Sequence, residues 1–240
     1  MPVIRLIITL LIWAVALPIF IIMMIVGIVL SYIMHPKYFY FPMHLGCKAL
    51  LLGSLQYHTI HGKVPPKNEG PYIFMFNHES MFDAFMLGGS IPYYVNAVGW
   101  EGIFKWPLWG FFAKRYGAYE ITHDNTDKAR ETLKAAEKIL LVDKTSMIYS
   151  PEGNRTITGE IGEFKKGGFH FARATNATIV PIGIIGAFES NVRTSWIINP
   201  GRLKTVFGNP ITPDQYSHLS IEEFRDLVKA EVVKLVEDFS

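Results

Sequence analysis

Leu6 to Met34 is a run of 29 positions without a charged side chain. At 1.5 Å per residue it predicts a helix of about 44 Å, longer than a hydrocarbon core of roughly 30 Å, so it can span with tilt or bend at Pro18. A cleaved secretory leader has an apolar core of about 7–15 residues followed by small residues. Here Tyr32-Ile33-Met34-His35-Pro36 follows instead, and the run is expected to stay in place as a membrane segment. Tyr38 to Tyr57 is aromatic and leucine-rich but carries Pro42, His44 and Lys48. It predicts a helix at the membrane interface, doubling back toward it, or one packed against the rest of the protein, and the pattern does not choose. Pro65-Pro66-Lys67-Asn68-Glu69-Gly70 has loop composition. The expected organisation is a hydrophobic membrane-associated segment at 1–57 and a second domain at 58–240.

Beyond that loop the pattern alternates. Tyr72 to Phe76 and Met147 to Tyr149 are short apolar runs that suit buried strands, and Thr178 to Ile185 and Leu203 to Phe207 read as strands too. Asn125 to Lys144 is amphipathic, with Asn125 or Thr126 as cap and Ala129, Leu133, Ala136 and Leu140 on one face. Phe164 to Ala174 predicts a further helix. Ser220 opens the last one with a Ser-x-x-Glu box to Glu223, and Phe224, Leu227, Val228, Val232, Leu235 and Phe239 form its stripe. Strands alternating with helices predict an α/β domain with a covered sheet.

Charge removes some classes of function. Without its first 34 residues the chain keeps 22 of its 23 basic residues and all 21 acidic ones, which is no footprint for nucleic acid. The single Cys47 excludes an internal disulfide and a multi-cysteine metal site. His78-Glu79 lacks the second histidine of a zinc-binding HExxH helix, and Gly88-Gly89-Ser90-Ile91-Pro92 lacks the last glycine of a nucleophile elbow. Neither a metal nor a cofactor is implied.

The candidate chemistry sits where the apolar pattern breaks. Residues 74–85 read FMFNHESMFDAF, placing an imidazole and two carboxylates inside a greasy stretch, where burial is costly unless such groups are partnered. A strand ending at Phe76 puts Asn77 and His78 on its C-terminal edge, where open α/β sheets bind ligands. Residues five apart diverge on a continuous helix. His78 and Asp83 therefore meet only if His78 lies on the turn and Asp83 reaches back from the helix start. A neutral imidazole oriented by a carboxylate is a general base. The pattern is too short to be specific by itself. A second break, SPEGNRT at 150–156, follows another strand. There Gly153 permits close backbone approach, Arg155 presents a fork suited to phosphate, and Glu152 can hold a guanidinium or a substrate hydroxyl.

Taken in order with EFKKGGFHFA at 163–172 and IVPIGI at 179–184, these stretches resemble the four blocks of the glycerolipid acyltransferases, and especially of the 1-acyl-glycerol-3-phosphate (lysophosphatidate) acyltransferases. The resemblance covers roughly residues 70–210. It implies a mixed sheet flanked by helices behind a hydrophobic helix or helical hairpin, working at a membrane with its site facing the cytoplasm. It makes His78 the catalytic base and Asp83 its charge partner. Glu152, Gly153 and Arg155 fall to acceptor binding, with Arg155 on the phosphate, and Pro181 lies near an acyl-chain tunnel. The partners implied are acyl-CoA or acyl carrier protein as donor and a lysophospholipid acceptor. The sequence departs from the family at Glu79, where Gln or Arg is common. In the second block Trp100, Gly102, Thr122 and His123 stand for Lys, Glu, Asp and Arg. Arg155 is then the one motif arginine left for phosphate, with Lys165 and Lys166 nearby and His123 as a weak substitute.

The reaction expected is direct transfer, in which His78 takes the proton of a lysolipid hydroxyl that attacks a thioester. A membrane hydrolase using the same pair on water, an acyltransferase for another lysophospholipid, and a non-catalytic lipid-binding scaffold are the competing readings.

Overall fold

The computed structural model describes residues 2–121 and 126–240. Its strands are β1 (Gln56–His61), β2 (Tyr72–Phe76), β3 (Asn96–Trp100), β4 (Tyr119–Ile121), β5 (Met147–Tyr149), β6 (Thr178–Ile185) and β7 (Gly201–Phe207). They form one sheet in the order β1-β7-β6-β2-β5-β3-β4. Every neighbouring pair is parallel except β6 with β7, so the sheet is mixed. The helices are α1 (Pro2–Ile33), α2 (Pro36–Gly53), α3 (Asp83–Ser90), α4 (Glu101–Phe104), α5 (Trp109–Tyr116), α6 (Thr126–Leu141), α7 (Gly167–Thr175), α8 (Ala187–Ser190), α9 (Pro213–Tyr216) and α10 (Ile221–Phe239).

Strand β2 shows why the sheet is covered on both faces. All five of its residues are buried, and its side chains alternate between two cores, as a pleated strand requires. Tyr72, Phe74 and Phe76 join the core made with α1, α2 and α3. Ile73 and Met75 join the other, made with α6, α7 and α10. The reciprocal box at the start of α10 forms as the pattern predicts, Ser220 Oγ accepting from Glu223 N at 3.1 Å and Glu223 Oε2 from Ser220 N at 2.7 Å. Of its stripe, Phe224, Val228 and Val232 are fully buried.

Helix α1 runs through Pro18 without a break, and α2 folds back along it after Met34 and His35. The pairing is antiparallel and close: a Cβ on Gly46 would meet Met23 Sδ at 2.6 Å, and one on Gly27 would meet Met43 Sδ at 2.9 Å. The hairpin also packs on the α/β domain, with Ile12, Ala16, Met23, Met24, Phe39, Met43, Leu50 and Leu51 in the same core as Phe74 and Phe85. Polar contacts fix α1 at both ends. Thr9 Oγ1 donates to Ile198 O at 3.1 Å and Trp13 Nε1 to Trp196 O at 3.0 Å. Arg115 Nε donates to Ser31 Oγ at 2.6 Å while its guanidinium lies 3.7 Å over the Tyr32 ring. The outer face is apolar and bare, Leu10, Leu11, Ile22 and Ile25 being 49–62% exposed.

Three strands escape the sequence pattern. β1 reads QYHTIH and lies where the pattern predicts only a domain boundary. β3 and β4 are short pieces toward the opposite edge of the sheet. The expected cap and face residues Asn125, Thr126, Ala129 and Leu133, and the second-block residues Trp100, Thr122 and His123, fall outside the described residues or their side chains. Ala136 and Leu140 of the same helix are buried as expected.

Candidate active site

The two polar turns come together because β2 and β5 are neighbours and parallel, with Met75 beside Tyr149. His78 follows the end of β2 by two residues, and its ring meets that of Phe76 edge-on, 5.6 Å between centroids. Asp83 is the first residue of α3. The geometry is the one that brings residues five apart together: His78 Nδ1 lies 2.6 Å from Asp83 Oδ2. Asp83 is 1% exposed, and its carboxylate also accepts from Glu79 N at 2.8 Å and Ser80 N at 3.1 Å. Backbone N–H groups aimed at both of its oxygens make Asp83 an acceptor in this turn. Facing an acceptor, Nδ1 is the donor of the pair, which leaves the Nε2 lone pair for substrate.

Backbone bonds lock the turns to one another. His78 N donates to Glu152 Oε1 at 2.7 Å, Gly162 N to Glu152 Oε2 at 2.8 Å, and Thr156 N to His78 O at 2.8 Å. Glu152 is 8% exposed and does not line the cavity described below. Burial pushes its carboxyl upward, opposed by the N–H groups of His78 and Gly162. The resemblance gives Glu152 an acceptor-binding role. In this structure each of its oxygens accepts one backbone N–H, which braces the turn. Asn77 also braces the turn. Its side chain accepts from Ile184 N at 2.7 Å and donates to Ile184 O at 2.8 Å, continuing the β2–β6 ladder past the end of the strand. Glu79 is buried beside it and accepts from Ala187 N at 2.9 Å and Phe188 N at 3.0 Å. Burial and then the Asp83 charge push its carboxyl up to about 8.

A cavity of about 1100 Å³ opens at this edge. His78, Asp83, Gly153, Arg155 and Lys165 line it, and its apolar wall comes from Met23, Met43, Phe85, Trp109 and Phe112. Gly153 holds a left-handed φ of +74° on the turn, which favours glycine. Burial, and after it the charge of Arg193, pushes the Arg155 guanidinium downward. Arg193 lines the same cavity, and no motif reading points to it. The two lysines separate. Lys165 faces the cavity, whereas Lys166 pairs with Glu222 on α10. Pro181 does not line the cavity. It is buried in β6 opposite Met75, its carbonyl accepting from Gly208 N at 2.9 Å. Among the described residues no group of three His, Cys, Asp or Glu side chains could hold a metal ion.

A buried carboxylate hydrogen-bonded to an imidazole, and a half-buried guanidinium, thus line one apolar-walled cavity. Comparison with known proteins gives the chain a family. The acyltransferase family model matches residues 58–185, and the chain belongs to that family. It is 27% identical over 158 residues to a 1-acyl-sn-glycerol-3-phosphate acyltransferase of Cocos nucifera, covering 66% of this chain and 51% of that protein. To one of Saccharomyces cerevisiae it is 27% identical over 170 residues, covering 70% and 56%. The chain thus spans about half the length of these curated relatives. The crystal structure of the 1-acyl-sn-glycerophosphate acyltransferase of Thermotoga maritima shares the fold, with a TM-score of 0.84 over 99% of this chain and 96% of that one, at 21% identity.

Proposed function

We propose that the protein transfers an acyl chain from an acyl thioester, acyl-CoA or acyl carrier protein, to the free sn-2 hydroxyl of lysophosphatidate, giving phosphatidate. The observation that carries this reading is the convergence of the His78–Asp83 pair and Arg155 on one apolar-walled cavity. His78 Nε2 takes the hydroxyl proton as the oxygen attacks the thioester carbonyl. The tetrahedral intermediate collapses by breaking the C–S bond, and the imidazolium returns the proton to the departing sulfur. Asp83 stays ionised throughout and stabilises the imidazolium, as a buried, N–H-saturated carboxylate can. Gly153 and Arg155 hold the acceptor, Arg155 by charge-assisted bonds to phosphate oxygens. Glu152 keeps the base in place through the His78 N–H.

The protein works at a membrane. Helix α1 is the one described helix long and apolar enough to cross a bilayer. It is docked on the α/β domain from Thr9 to Ser31, which favours insertion of its bare face beside the domain over a free-standing span. Acyl-CoA and acyl carrier protein are charged and do not cross bilayers, so the site faces the cytoplasm, where they are supplied.

Incubating the protein with an acyl thioester and lysophosphatidate tests the reading. Phosphatidate with release of free thiol is expected. Free fatty acid alone would make the enzyme a hydrolase, and diacyl product only with another lysophospholipid would move the acceptor assignment.

A further inference from the structure

The loop between α8 and β7 joins the hydrophobic hairpin to the catalytic turn. Its backbone is fastened on both sides. Asn191 is buried, its side chain donating to Ser195 O at 2.9 Å and Ile197 O at 3.0 Å, and its own carbonyl accepts from Ser80 Oγ at 3.0 Å. Farther along, Trp196 O and Ile198 O accept from Trp13 and Thr9 of α1. Asn199 Oδ1 accepts from Arg5 Nε at 2.7 Å. Between these anchors the loop carries Arg193 to the cavity that holds His78 and Arg155, and Trp196, whose carbonyl accepts from Trp13, is exposed. An amphipathic indole suits headgroup depth.

Two guanidiniums at one cavity repel. Among the described residues neither Arg155 nor Arg193 has a hydrogen bond or an ion pair with protein. The nearby carboxylates are already engaged, Asp83 by His78 and two backbone N–H groups, Glu152 by the N–H groups of His78 and Gly162, and Glu79 by those of Ala187 and Phe188. An exposed arginine is usually just solvated, but one held next to a second, half-buried arginine at a cavity is a site for an anion. A phosphate monoester carries about −1.5 to −2 charges at neutral pH and three acceptor oxygens, more than one guanidinium satisfies.

We propose that Arg193 is a second phosphate-binding residue, gripping with Arg155 the phosphate of the acceptor lipid. The inference rests on the lysophosphatidate reading given above. Each charge-assisted hydrogen bond to phosphate is worth roughly one to two decades of affinity. Arg193→Ala should therefore raise KM for lysophosphatidate about tenfold or more, with little change in kcat, in KM for acyl-CoA, or in Tm. Arg193→Lys should recover part of the loss.

The full-length protein in mixed micelles is assayed with lysophosphatidate, with monoacylglycerol, and with varied acyl-CoA, and binding of glycerol 3-phosphate is measured in parallel. A KM effect confined to lysophosphatidate, with weakened glycerol 3-phosphate binding, supports the proposal. An unchanged KM for lysophosphatidate overturns it and leaves the acyltransferase reading standing. A loss seen only in KM for acyl-CoA assigns Arg193 to the donor's phosphates and also overturns it. If the wild type does not use lysophosphatidate at all, the acceptor reading falls. Glycerol 3-phosphate binding then decides whether the two-arginine phosphate site survives without it: loss of that binding in Arg193→Ala keeps the site, and unchanged binding removes it.

Discussion

The turn after β2 and the cavity beside the turn after β5 lie at the same sheet edge, yet they are finished to different degrees. In the first, polar atoms are satisfied within the protein: Asp83 accepts from His78 Nδ1 and from the N–H groups of Glu79 and Ser80, and Asn77 continues the β2–β6 ladder. In the second, Arg155 and Arg193 line the cavity, and among the described residues neither has a hydrogen bond or ion pair with protein. Groups that must hold a fixed proton geometry are locked before substrate arrives. On the proposed function, groups that grip a charged substrate keep their hydrogen bonds for it, and binding relieves the repulsion between them.

The largest effect should come from breaking the finished half. His78→Ala should lower kcat by about 10²–10⁴ or more, and Asp83→Asn nearly as much, with secondary structure by circular dichroism unchanged. Retention of more than about a tenth of wild-type turnover by either variant removes the pair from the mechanism.

A smaller effect should follow from charging the bare face of α1. Leu11→Lys combined with Ile22→Lys alters two side chains that are 62% and 61% exposed, so Tm should hold. Each lysine costs up to about 2.5–3.5 kcal/mol in the hydrocarbon core. Vesicle sedimentation should show release from the membrane, and activity should drop more on bilayer substrate than on detergent-dispersed substrate. Equal losses on the two would make α1 only a folding element. Deleting residues 1–34 is a poorer test, because Ile12, Ala16, Met23 and Met24 belong to the core.

The smallest effect on activity concerns Glu79, where the readout is stability: its folded carboxyl is pushed up to about 8 by burial and Asp83. The folded protein then binds a proton more tightly than the unfolded chain does between about pH 4.5 and 8. That contribution to stability is complete at the low end of the window and lost as pH rises through it. Glu79→Gln carries no such proton. Chemical denaturation from pH 5 to 8.5 should therefore show the variant gaining on the wild type by about 1.4 kcal/mol for each pH unit inside that window. A constant difference across the window would place the Glu79 carboxyl near its ordinary value.

How much of this is legible in the sequence differs between the same two regions. The FMF run and the HxxxxD spacing announce β2 and the His78–Asp83 contact, because a buried central strand is uniformly apolar and a strand end is where polar residues must appear. Thr178–Ile185 is likewise readable from its β-branched run and forms as β6 over those residues. β1 is hidden because an edge strand alternates and its polar residues mimic a loop, and β4, three residues long, gives no pattern to read. The docked face of α1 is hidden for another reason: lipid-facing and protein-facing sides are both apolar. Glu152 and Arg193 depend on long-range contacts that no local signal carries. Glu152 reaches 74 residues back to the His78 amide. Arg193 meets the cavity only because its loop is fastened to Ser80 and α1.

The central claim is that the saturated pair performs proton transfer on any acceptor whereas the unsaturated arginines read phosphate. The most direct test is kcat/KM for lysophosphatidate and for monoacylglycerol, in wild type and in Arg155→Ala. The wild type should favour lysophosphatidate by about one to two decades. Arg155→Ala should flatten that ratio while keeping most of its activity on monoacylglycerol. Equal use of both acceptors by the wild type, or equal loss on both in the variant, would contradict the division of labour between the two turns.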